Sequence, residues 1–199
     1  MTRLFINSAA LVTTLLVGVS CSPEPPADAA GEDMSTAPAE TSGTGATLEA
    51  AEALGLSNAR MPLPNLVTAG QPTVEQLDAL ADAGYRHFIS LRPSQERGAG
   101  WEEEHAIGRP FEFERLPISG REALNRDNVE AFAALLESVG DQPTVLYCGS
   151  SNRVGAMLAL KAFWVDGAEA DAAFELGQNA GMTGLSDPVK ELLGLAGGN

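Results

Sequence analysis

Apolar residues recur with two different periods in this chain from residue 48 onward. A helical spacing of three or four positions is typical of one face of a helix, whereas short continuous or alternating apolar runs are typical of strands. We predict strands over 65–68, 86–91, 111–118 and 143–147. We predict helices over 48–54, 73–84, 101–107, 153–165, 168–178 and 188–193, and one more that begins at 127 or 128.

Local end signals indicate where two of these helices begin. Thr73 and Gln76 have the spacing of a capping box, in which the Thr73 side chain caps the helix and Gln76 reciprocates. Gly84 is in position to end the same helix. Asp127 or Asn128 can cap the later helix, because short polar side chains accept hydrogen bonds from the first free N–H groups.

Strands and helices alternate along residues 48–199, which indicates one α/β domain. The expected architecture is a central, mainly parallel sheet flanked by helices. In such sheets, ligands bind beyond the carboxyl ends of the strands. We therefore expect the functional residues to follow the predicted strands directly.

The first 47 residues have a different composition from the rest. Residues 1–20 combine Arg3 with an apolar stretch that ends in small residues, which is typical of a signal peptide for export to the cell envelope. Gly18-Val19-Ser20-Cys21 resembles the lipobox of bacterial lipoproteins, which implies that Cys21 is lipidated. Gly18 stands where a large aliphatic residue is usual, so ordinary cleavage with an unlipidated Cys21 stays open. Residues 21–47 are rich in Ala, Pro, Ser, Thr and acid, which predicts a flexible tether after the lipidated cysteine.

Composition argues against two classes of partner. The formal net charge is −15 and the only lysines are Lys161 and Lys190, so we expect no nucleic-acid binding and no membrane contact except through the lipid anchor. His87 and His105 are not spaced with cysteines as zinc ligands are. We therefore expect neither a metal nor another cofactor.

The most informative stretch is residues 145–155, which reads as a strand, a short polar loop and a helix. Cys148 lies at the carboxyl end of the strand, where the free N–H groups of the next helix bind anions and favour a thiolate. Arg153 adds a planar guanidinium that can bind two phosphate oxygens. This pattern predicts a phosphate-binding catalytic loop. A buried structural cysteine beside a solvated arginine is the alternative.

Three motifs give residues 60–185 a resemblance to a known family. They are Ala-Gly-Gln-Pro-Thr at 69–73, Phe-Ile-Ser-Leu-Arg-Pro at 88–93, and the loop from Cys148 to Arg153. Together they resemble the compact bacterial tyrosine-phosphatase-like family, whose members are sometimes fused to a metallo-β-lactamase-like hydrolase. That family is similar in fold to dual-specificity phosphatases. The resemblance implies a protein tyrosine phosphatase-like α/β fold of the dual-specificity type.

The resemblance also implies roles for the loop. Cys148 would be the nucleophile that forms a cysteinyl-phosphate without a metal, and Arg153 would bind the phosphoryl oxygens. The backbone N–H groups that assist Arg153 would belong to Gly149, Ser150, Ser151 and Asn152.

Other site residues follow less directly. A protonated acid should assist the leaving oxygen, for which Asp127 is the first choice and Glu122 the second. A helix cap is the alternative role of Asp127. Arg92 and Glu96 follow the strand at 86–91 and can face the pocket, with a surface salt bridge as the alternative.

The loop departs from the pattern of broad tyrosine phosphatases at several positions. It is one residue shorter between cysteine and arginine, as in relatives of the compact family. Tyr147 replaces the histidine that usually precedes the cysteine, Val154 replaces a hydroxyl residue, and Ser151 replaces a glycine. Losing the histidine and the hydroxyl removes two aids to thiolate stability.

Three functions are therefore compatible with the sequence. The leading hypothesis is a lipid-anchored, cysteine-dependent phosphatase that acts on a phosphorylated small molecule or protein, including phosphotyrosine. A rhodanese-like sulfurtransferase is the second, because rhodaneses also use a cysteine in a short arginine-containing loop. The third is a lipoprotein that binds phosphate or a phosphorylated partner without catalysis, which Tyr147 and Val154 motivate.

Overall fold

A five-stranded sheet forms the centre of the domain. The computed structural model describes residues 46–195, and the predicted signal peptide, Cys21 and nearly all of the tether lie outside these residues. The strands are β1 (Arg60–Leu63), β2 (Leu66–Ala69), β3 (His87–Ser90), β4 (Glu112–Arg115) and β5 (Thr144–Tyr147). Their order in the sheet is β1-β2-β5-β3-β4. β1 pairs antiparallel with β2, and the other neighbouring pairs are parallel.

Helices cover both faces of this sheet. They are α1 (Leu48–Ala53), α2 (Val74–Asp82), α3 (Glu102–Ala106), α4 (Arg126–Val139), α5 (Asn152–Trp164), α6 (Ala170–Asn179) and α7 (Ser186–Leu193). α1 and α2 contribute to a core with Val67 and Phe88 on one face. α4 to α7 contribute to a core with Leu66 and Ile89 on the other, as the alternation of side chains along a strand requires. Within residues 46–195, no helix has the length and apolarity that a membrane span needs.

The predicted architecture is confirmed, together with its sharpest local signal. At the start of α2, the Thr73 hydroxyl accepts a hydrogen bond from the N–H of Gln76 at 3.2 Å. The Gln76 side chain accepts one from the N–H of Thr73 at 3.0 Å, which completes the capping box. Both groups are close in sequence, which is why the sequence alone predicts their geometry.

One local prediction is wrong, and one strand was not predicted. Asn125 caps α4, not Asp127 or Asn128, because the Asn125 side chain accepts a hydrogen bond from the N–H of Asn128 at 3.0 Å. The sequence also did not predict β1, since Pro62 reads as a chain break. β1 is an edge strand, where a residue without an N–H group is tolerated.

α6 packs closely against α5, the helix that follows the predicted phosphate loop. A Cβ on Gly155 would lie 2.4 Å from the carbonyl oxygen of Gly177 and 2.6 Å from the nitrogen of Met182. A Cβ on Gly177 would lie 2.8 Å from the carbonyl oxygen of Gly155. Because Gly155 and Gly177 have no side chains, the backbones of α5 and α6 can approach each other closely. This close contact fixes the position of α5.

Gly155→Ala is expected to destabilise the domain, because the added methyl group would overlap backbone atoms. Replacing a glycine inside a helix by alanine ordinarily stabilises by about 0.5–1 kcal/mol. Overpacking of this kind costs about 1–3 kcal/mol, so we expect the sign to reverse here. Equilibrium unfolding in urea measures the change, and an unchanged or increased free energy of unfolding would contradict the close packing.

Candidate active site

The predicted phosphate loop, residues 148–153, connects the end of β5 to the start of α5. Cys148 is 1% exposed at the base of this loop, whereas Gly149 and Ser150 on its outer side are exposed. The first N–H groups of α5, beginning with that of Asn152, have no acceptor within the helix. The loop therefore combines a sheltered thiol with a helix N-terminus, which attracts anions.

Ser151 adopts a left-handed conformation with φ of 67°, at the position where the sequence resemblance implies that a glycine is usual. Its hydroxyl donates a hydrogen bond to the carbonyl oxygen of Ala180 at 2.7 Å, and the residue is fully buried. Gly181 leaves room for it, since a Cβ on Gly181 would lie 2.7 Å from the Cβ of Ser151. The segment after α6 thus accommodates a serine that the loop backbone alone would disfavour.

Asn152 fixes the loop to the connection between α6 and α7. Its side-chain oxygen accepts hydrogen bonds from the N–H groups of Thr183 at 2.8 Å and Leu185 at 3.2 Å. On the other side of the loop, the Asn58 amide donates to the carbonyl oxygen of Ser150 at 3.4 Å. These contacts hold the loop backbone from two directions.

Arg153 reaches back across the loop and forms an ion pair with Glu96. Its two terminal nitrogens donate to the two carboxylate oxygens at 2.5 and 2.9 Å. Nη1 also donates to the carbonyl oxygen of Ile118 at 2.9 Å. A Cβ on Gly149 would lie 3.7 Å from Nη2, so the guanidinium lies over the loop backbone.

Arg153 and Glu96 each stabilise the charged form of the other. The hydrogen bond to Glu96 raises the pKa of Arg153, against the effect of burial, and Cys148 lies near enough to add a smaller electrostatic effect in the same direction. Hydrogen bonding to Arg153 lowers the pKa of Glu96 to about 2, against the effect of burial and with help from Arg92. At neutral pH both groups are therefore charged.

Arg92 lies behind this pair and joins it to the rest of the site. Its Nε donates to Glu96 at 2.9 Å, its Nη1 to the side-chain oxygen of Gln71 at 2.8 Å, and its Nη2 to the carbonyl oxygen of Arg97 at 2.8 Å. The side chain is 10% exposed. The four predicted residues Cys148, Arg153, Arg92 and Glu96 thus lie in one cluster, in which the Arg92–Glu96 pair is part of the site.

Sequence reasoning missed a second group of polar residues beneath this cluster. Glu102 is fully buried and accepts hydrogen bonds from Gln71 at 3.0 Å and from the Tyr147 hydroxyl at 3.3 Å. Gln71 belongs to one of the family motifs, which was a usable signal. Glu102 lies in a run of three glutamates that looks like any solvated helix start, and nothing in the sequence distinguishes it.

The two acid candidates lie on the surface near the loop that precedes α4. Asp127 is exposed in the first turn of α4. Glu122 is exposed in a short 3₁₀ helix, Arg121–Ala123. Neither makes an ion pair among residues 46–195. Within the described part of the chain, the carboxylate that contacts Arg153 is Glu96.

One cavity and one cluster of acidic residues lie outside the loop site. A cavity of about 400 Å³ is lined by residues such as Leu66, Thr144 and Lys161, and by neither Cys148 nor Arg153. His87, Glu112 and Glu114 lie close enough together among residues 46–195 that they could hold a metal ion. They belong to the start of β3 and to β4, so they are not part of the loop site.

Comparisons with solved structures identify the same fold. A proposed phosphatase from Shewanella putrefaciens superposes with a TM-score of 0.57 at 17% identity, over 77% of this chain and 100% of its own. A proposed phosphatase from Neisseria meningitidis gives 0.55 at 17% identity, over 66% and 96%. A Cys-to-Ser variant of TpbA from P. aeruginosa, solved in complex with pTyr, gives 0.50 at 16% identity, over 69% and 90%. No functionally curated protein matches the chain.

A family profile, described as DSP-PTPase phosphatase fused to NAD+ kinase, matches residues 57–183. The fusion partner in that description is an NAD+ kinase, whereas the sequence resemblance involved a metallo-β-lactamase-like hydrolase. The phosphatase part of the resemblance is confirmed. Because the match covers more than half of the 199 residues, the chain belongs to this family of tyrosine and dual-specificity phosphatase-like enzymes.

Proposed function

We propose that this phosphatase hydrolyses phosphomonoesters through a cysteinyl-phosphate on Cys148. The observation that carries the proposal is the position of Arg153, whose guanidinium lies beside Cys148 and is held by Glu96 and the Ile118 carbonyl. A thiol, a cation and a helix N-terminus therefore border the same small volume. This combination suits a dianionic phosphoryl group.

The reaction has two steps in this proposal. The thiolate of Cys148 attacks phosphorus, an S–P bond forms, and the P–O bond to the leaving group breaks as that oxygen takes a proton from an acid. Water then attacks phosphorus and gives its proton to the same group, the S–P bond breaks, and phosphate leaves. Arg153 and the loop N–H groups hold the three peripheral oxygens throughout and stabilise the charge on them.

Glu96 acts in this scheme by positioning Arg153. A carboxyl group with a pKa of about 2 carries no proton at neutral pH, so Glu96 is not the acid for the leaving group. Its carboxylate accepts hydrogen bonds from both terminal nitrogens of Arg153 and from one nitrogen of Arg92. Because Arg92 also holds the Glu96 carboxylate in place, Glu96 keeps the Arg153 guanidinium in a fixed orientation.

The proton donor is proposed to be Asp127, with Glu122 as the second choice. Glu122 lies within the segment that runs from Ile118 to α4, and Asp127 lies at its end in the first turn of α4. The Ile118 carbonyl accepts a hydrogen bond from Arg153. That contact supports the assignment of the donor to this segment. An acid delivered by the segment would approach the phosphoryl group from the side of Arg153.

An aryl phosphate is the proposed substrate class, with phosphotyrosine as one member. TpbA, which has the same fold, was solved in complex with pTyr. In this chain the thiol is 1% exposed, so a substrate must present a phosphoryl group that extends beyond its own bulk. A phosphate on a long planar ring satisfies that requirement, whether it belongs to a protein or a small molecule.

Export and lipid anchoring on Cys21 are part of the proposal and rest on the sequence. The signal-like residues 1–20, the lipobox-like ending and the polar tether support them together. In this arrangement the phosphatase domain stands away from a membrane of the cell envelope on a flexible segment.

A non-catalytic phosphate-binding role is the second candidate. Two observations favour it: Tyr147 and Val154 replace residues that support the thiolate, and both acid candidates are exposed. The family match favours a phosphatase over a rhodanese-like sulfurtransferase. Turnover of a phosphate ester separates catalysis from binding.

We expect the domain to hydrolyse phenyl phosphate and p-nitrophenyl phosphate. Cys148→Ser should abolish turnover, because the hydroxyl is a far weaker nucleophile, and Arg153→Lys should lower it roughly a hundredfold or more, as loss of a charge-stabilising donor does. Asp127→Asn should slow the hydrolysis of phenyl phosphate by roughly a hundredfold, the usual size of a general-acid effect. Steady-state release of phosphate measures all three.

Glu122→Gln is the parallel test of the second candidate, since it removes a neighbouring exposed carboxylate. If Glu122→Gln shows the larger loss, the donor is Glu122. Full activity in Cys148→Ser would refute the cysteinyl-phosphate route. Phosphate binding without turnover in the wild-type protein would favour the second candidate.

Glu96→Gln is expected to lower the free energy of unfolding in a pH-dependent way. A carboxylate whose pKa is lowered by folding stabilises the fold above its unfolded value, and this contribution is lost as the pH falls through the folded value. The difference from wild type should therefore be full above about pH 5, near the ordinary range of a glutamate, and shrink toward pH 2. Denaturant unfolding at a series of pH values measures it.

Glu114→Gln provides the control, because Glu114 is exposed on β4 and makes no ion pair among residues 46–195. Its effect on unfolding should be small across the same range. An effect of Glu96→Gln that does not vary between pH 5 and pH 2 would argue against the ion pair with Arg153.

The full chain expressed in a bacterial host should incorporate labelled fatty acid on Cys21. Cys21→Ser should remove the label and release the protein from the membrane fraction. Cys148→Ser is the matched control, because it removes the other cysteine and should leave the label intact. An unlabelled, processed wild-type protein would instead indicate ordinary signal cleavage.

A further inference from the structure

Glu102 is a buried carboxylate outside the set of residues that border the thiol. Its side chain is 0% exposed. It accepts hydrogen bonds from the N–H of Gly100 at 2.8 Å, from Arg115 at 2.9 Å, from Gln71 at 3.0 Å and from the Tyr147 hydroxyl at 3.3 Å. Four donors from four separate segments therefore converge on one side chain, which is the usual requirement for burying a charge.

These donors keep Glu102 ionised. Burial alone would raise the pKa of Glu102, but the backbone hydrogen bond, Gln71 and Arg115 together lower it. Burial and the nearby Glu102 carboxylate also raise the pKa of Tyr147 well above its ordinary value, so the tyrosine keeps its proton. An ionised carboxylate only accepts hydrogen bonds, and every group around it must donate.

This requirement fixes the orientation of the Gln71 amide. Its NH₂ group faces Glu102 at 3.0 Å, so its oxygen faces the other way and accepts from Arg92 at 2.8 Å. The reversed amide would place its oxygen against a carboxylate and its NH₂ group against a guanidinium. Both contacts would be repulsive, because like partners would face each other.

The direction of hydrogen bonding continues from Gln71 to the phosphate loop. Arg92 donates to the Gln71 oxygen and, through Nε, to Glu96 at 2.9 Å. Glu96 in turn accepts hydrogen bonds from both terminal nitrogens of Arg153. Donors and acceptors thus alternate without a break from Glu102 to the guanidinium beside Cys148.

Arg115 strengthens the same arrangement from a second direction. It donates to Glu102 at 2.9 Å and to the backbone carbonyl of Arg92 at 2.6 Å. It also pairs with Glu103, which is about half exposed. Glu103 contacts neither Gln71 nor Tyr147 in the described part of the chain. It therefore shares Arg115 with Glu102 but is not part of the hydrogen-bond relay Glu102–Gln71–Arg92–Glu96–Arg153.

We propose that Glu102 is a positioning residue of the phosphate site, which orients Arg153 through Gln71, Arg92 and Glu96. This inference rests on the proposed phosphate-binding role of Arg153. Glu102 touches no substrate. Its effect is expected in kcat/KM and in the affinity for an oxyanion, because Arg153 both binds the phosphoryl oxygens and stabilises the charge on them during the reaction, and a misoriented guanidinium does both less well.

Glu102→Gln is the first test, since glutamine keeps the shape but can present NH₂ to Gln71 and so reverse the relay. We expect kcat/KM for p-nitrophenyl phosphate to fall and Kd for orthovanadate to rise, each by about tenfold, the effect of weakening one hydrogen bond between charged groups. Glu103→Gln removes the other carboxylate on Arg115 and should leave kcat/KM and Kd within about twofold of wild type.

A second variant restores the relay with the two groups exchanged. In Gln71→Glu combined with Glu102→Gln, the glutamine at 102 donates to the carboxylate at 71, which accepts from Arg92 as the wild-type amide oxygen does. We expect this double variant to recover most of the lost affinity for orthovanadate, within about threefold of wild type. A loss caused only by a disturbed core would not be rescued by a second change in the core.

The outcomes separate the relay from the proposed function. If the wild type neither binds orthovanadate nor hydrolyses the ester, the proposed function fails and the inference with it. If the wild type does both and folded Glu102→Gln matches it, only the inference is wrong. Equal losses in Glu102→Gln, Glu103→Gln and the double variant would also refute it, because they would indicate general destabilisation. Thermal unfolding of each variant verifies that it is folded at the assay temperature.

Discussion

The ion pair between Arg153 and Glu96 is the interaction on which the site depends. In the proposed mechanism Arg153 lies over the loop to bind a phosphoryl group, and a largely buried guanidinium beside a thiol needs an anion to hold it there. Glu96 supplies that anion from the segment after β3, at two points of contact. The loop is therefore not a self-contained motif, since its working shape depends on a carboxylate 57 residues earlier in the chain.

The sheet explains how such distant residues meet. β2, β5, β3 and β4 end in register at Ala69, Tyr147, Ser90 and Arg115. The segments that follow these ends carry Gln71, the proposed nucleophile Cys148, the Arg92–Glu96 pair and the Ile118 carbonyl. Parallel strands deliver all of these to one edge, which is why the polar network can continue from strand to strand.

The sequence predicted the parts of this arrangement that have a local signature. A cysteine after an apolar run and an arginine at a helix start are visible within residues 145–155, and the capping box of α2 within residues 73–76. Glu102 has no such signature, because its burial depends on side-chain donors that lie 31, 13 and 45 residues away, on Gln71, Arg115 and Tyr147. The left-handed conformation of Ser151 is hidden for the same reason, since the room for its side chain comes from Gly181. β1 was missed because its proline is tolerated only at an edge of the sheet.

The charges of the polar network also affect how an anionic substrate approaches the site from a distance. Three arginines, Arg153, Arg92 and Arg115, are matched by three carboxylates, Glu96, Glu102 and Glu103. The site is close to neutral before a ligand arrives, and the chain around it carries a formal charge of −15. A phosphate dianion therefore approaches against a repulsive long-range field, which dissolved salt weakens. Capture would be faster at physiological ionic strength than in dilute buffer, the reverse of enzymes that steer anions with a positive surface.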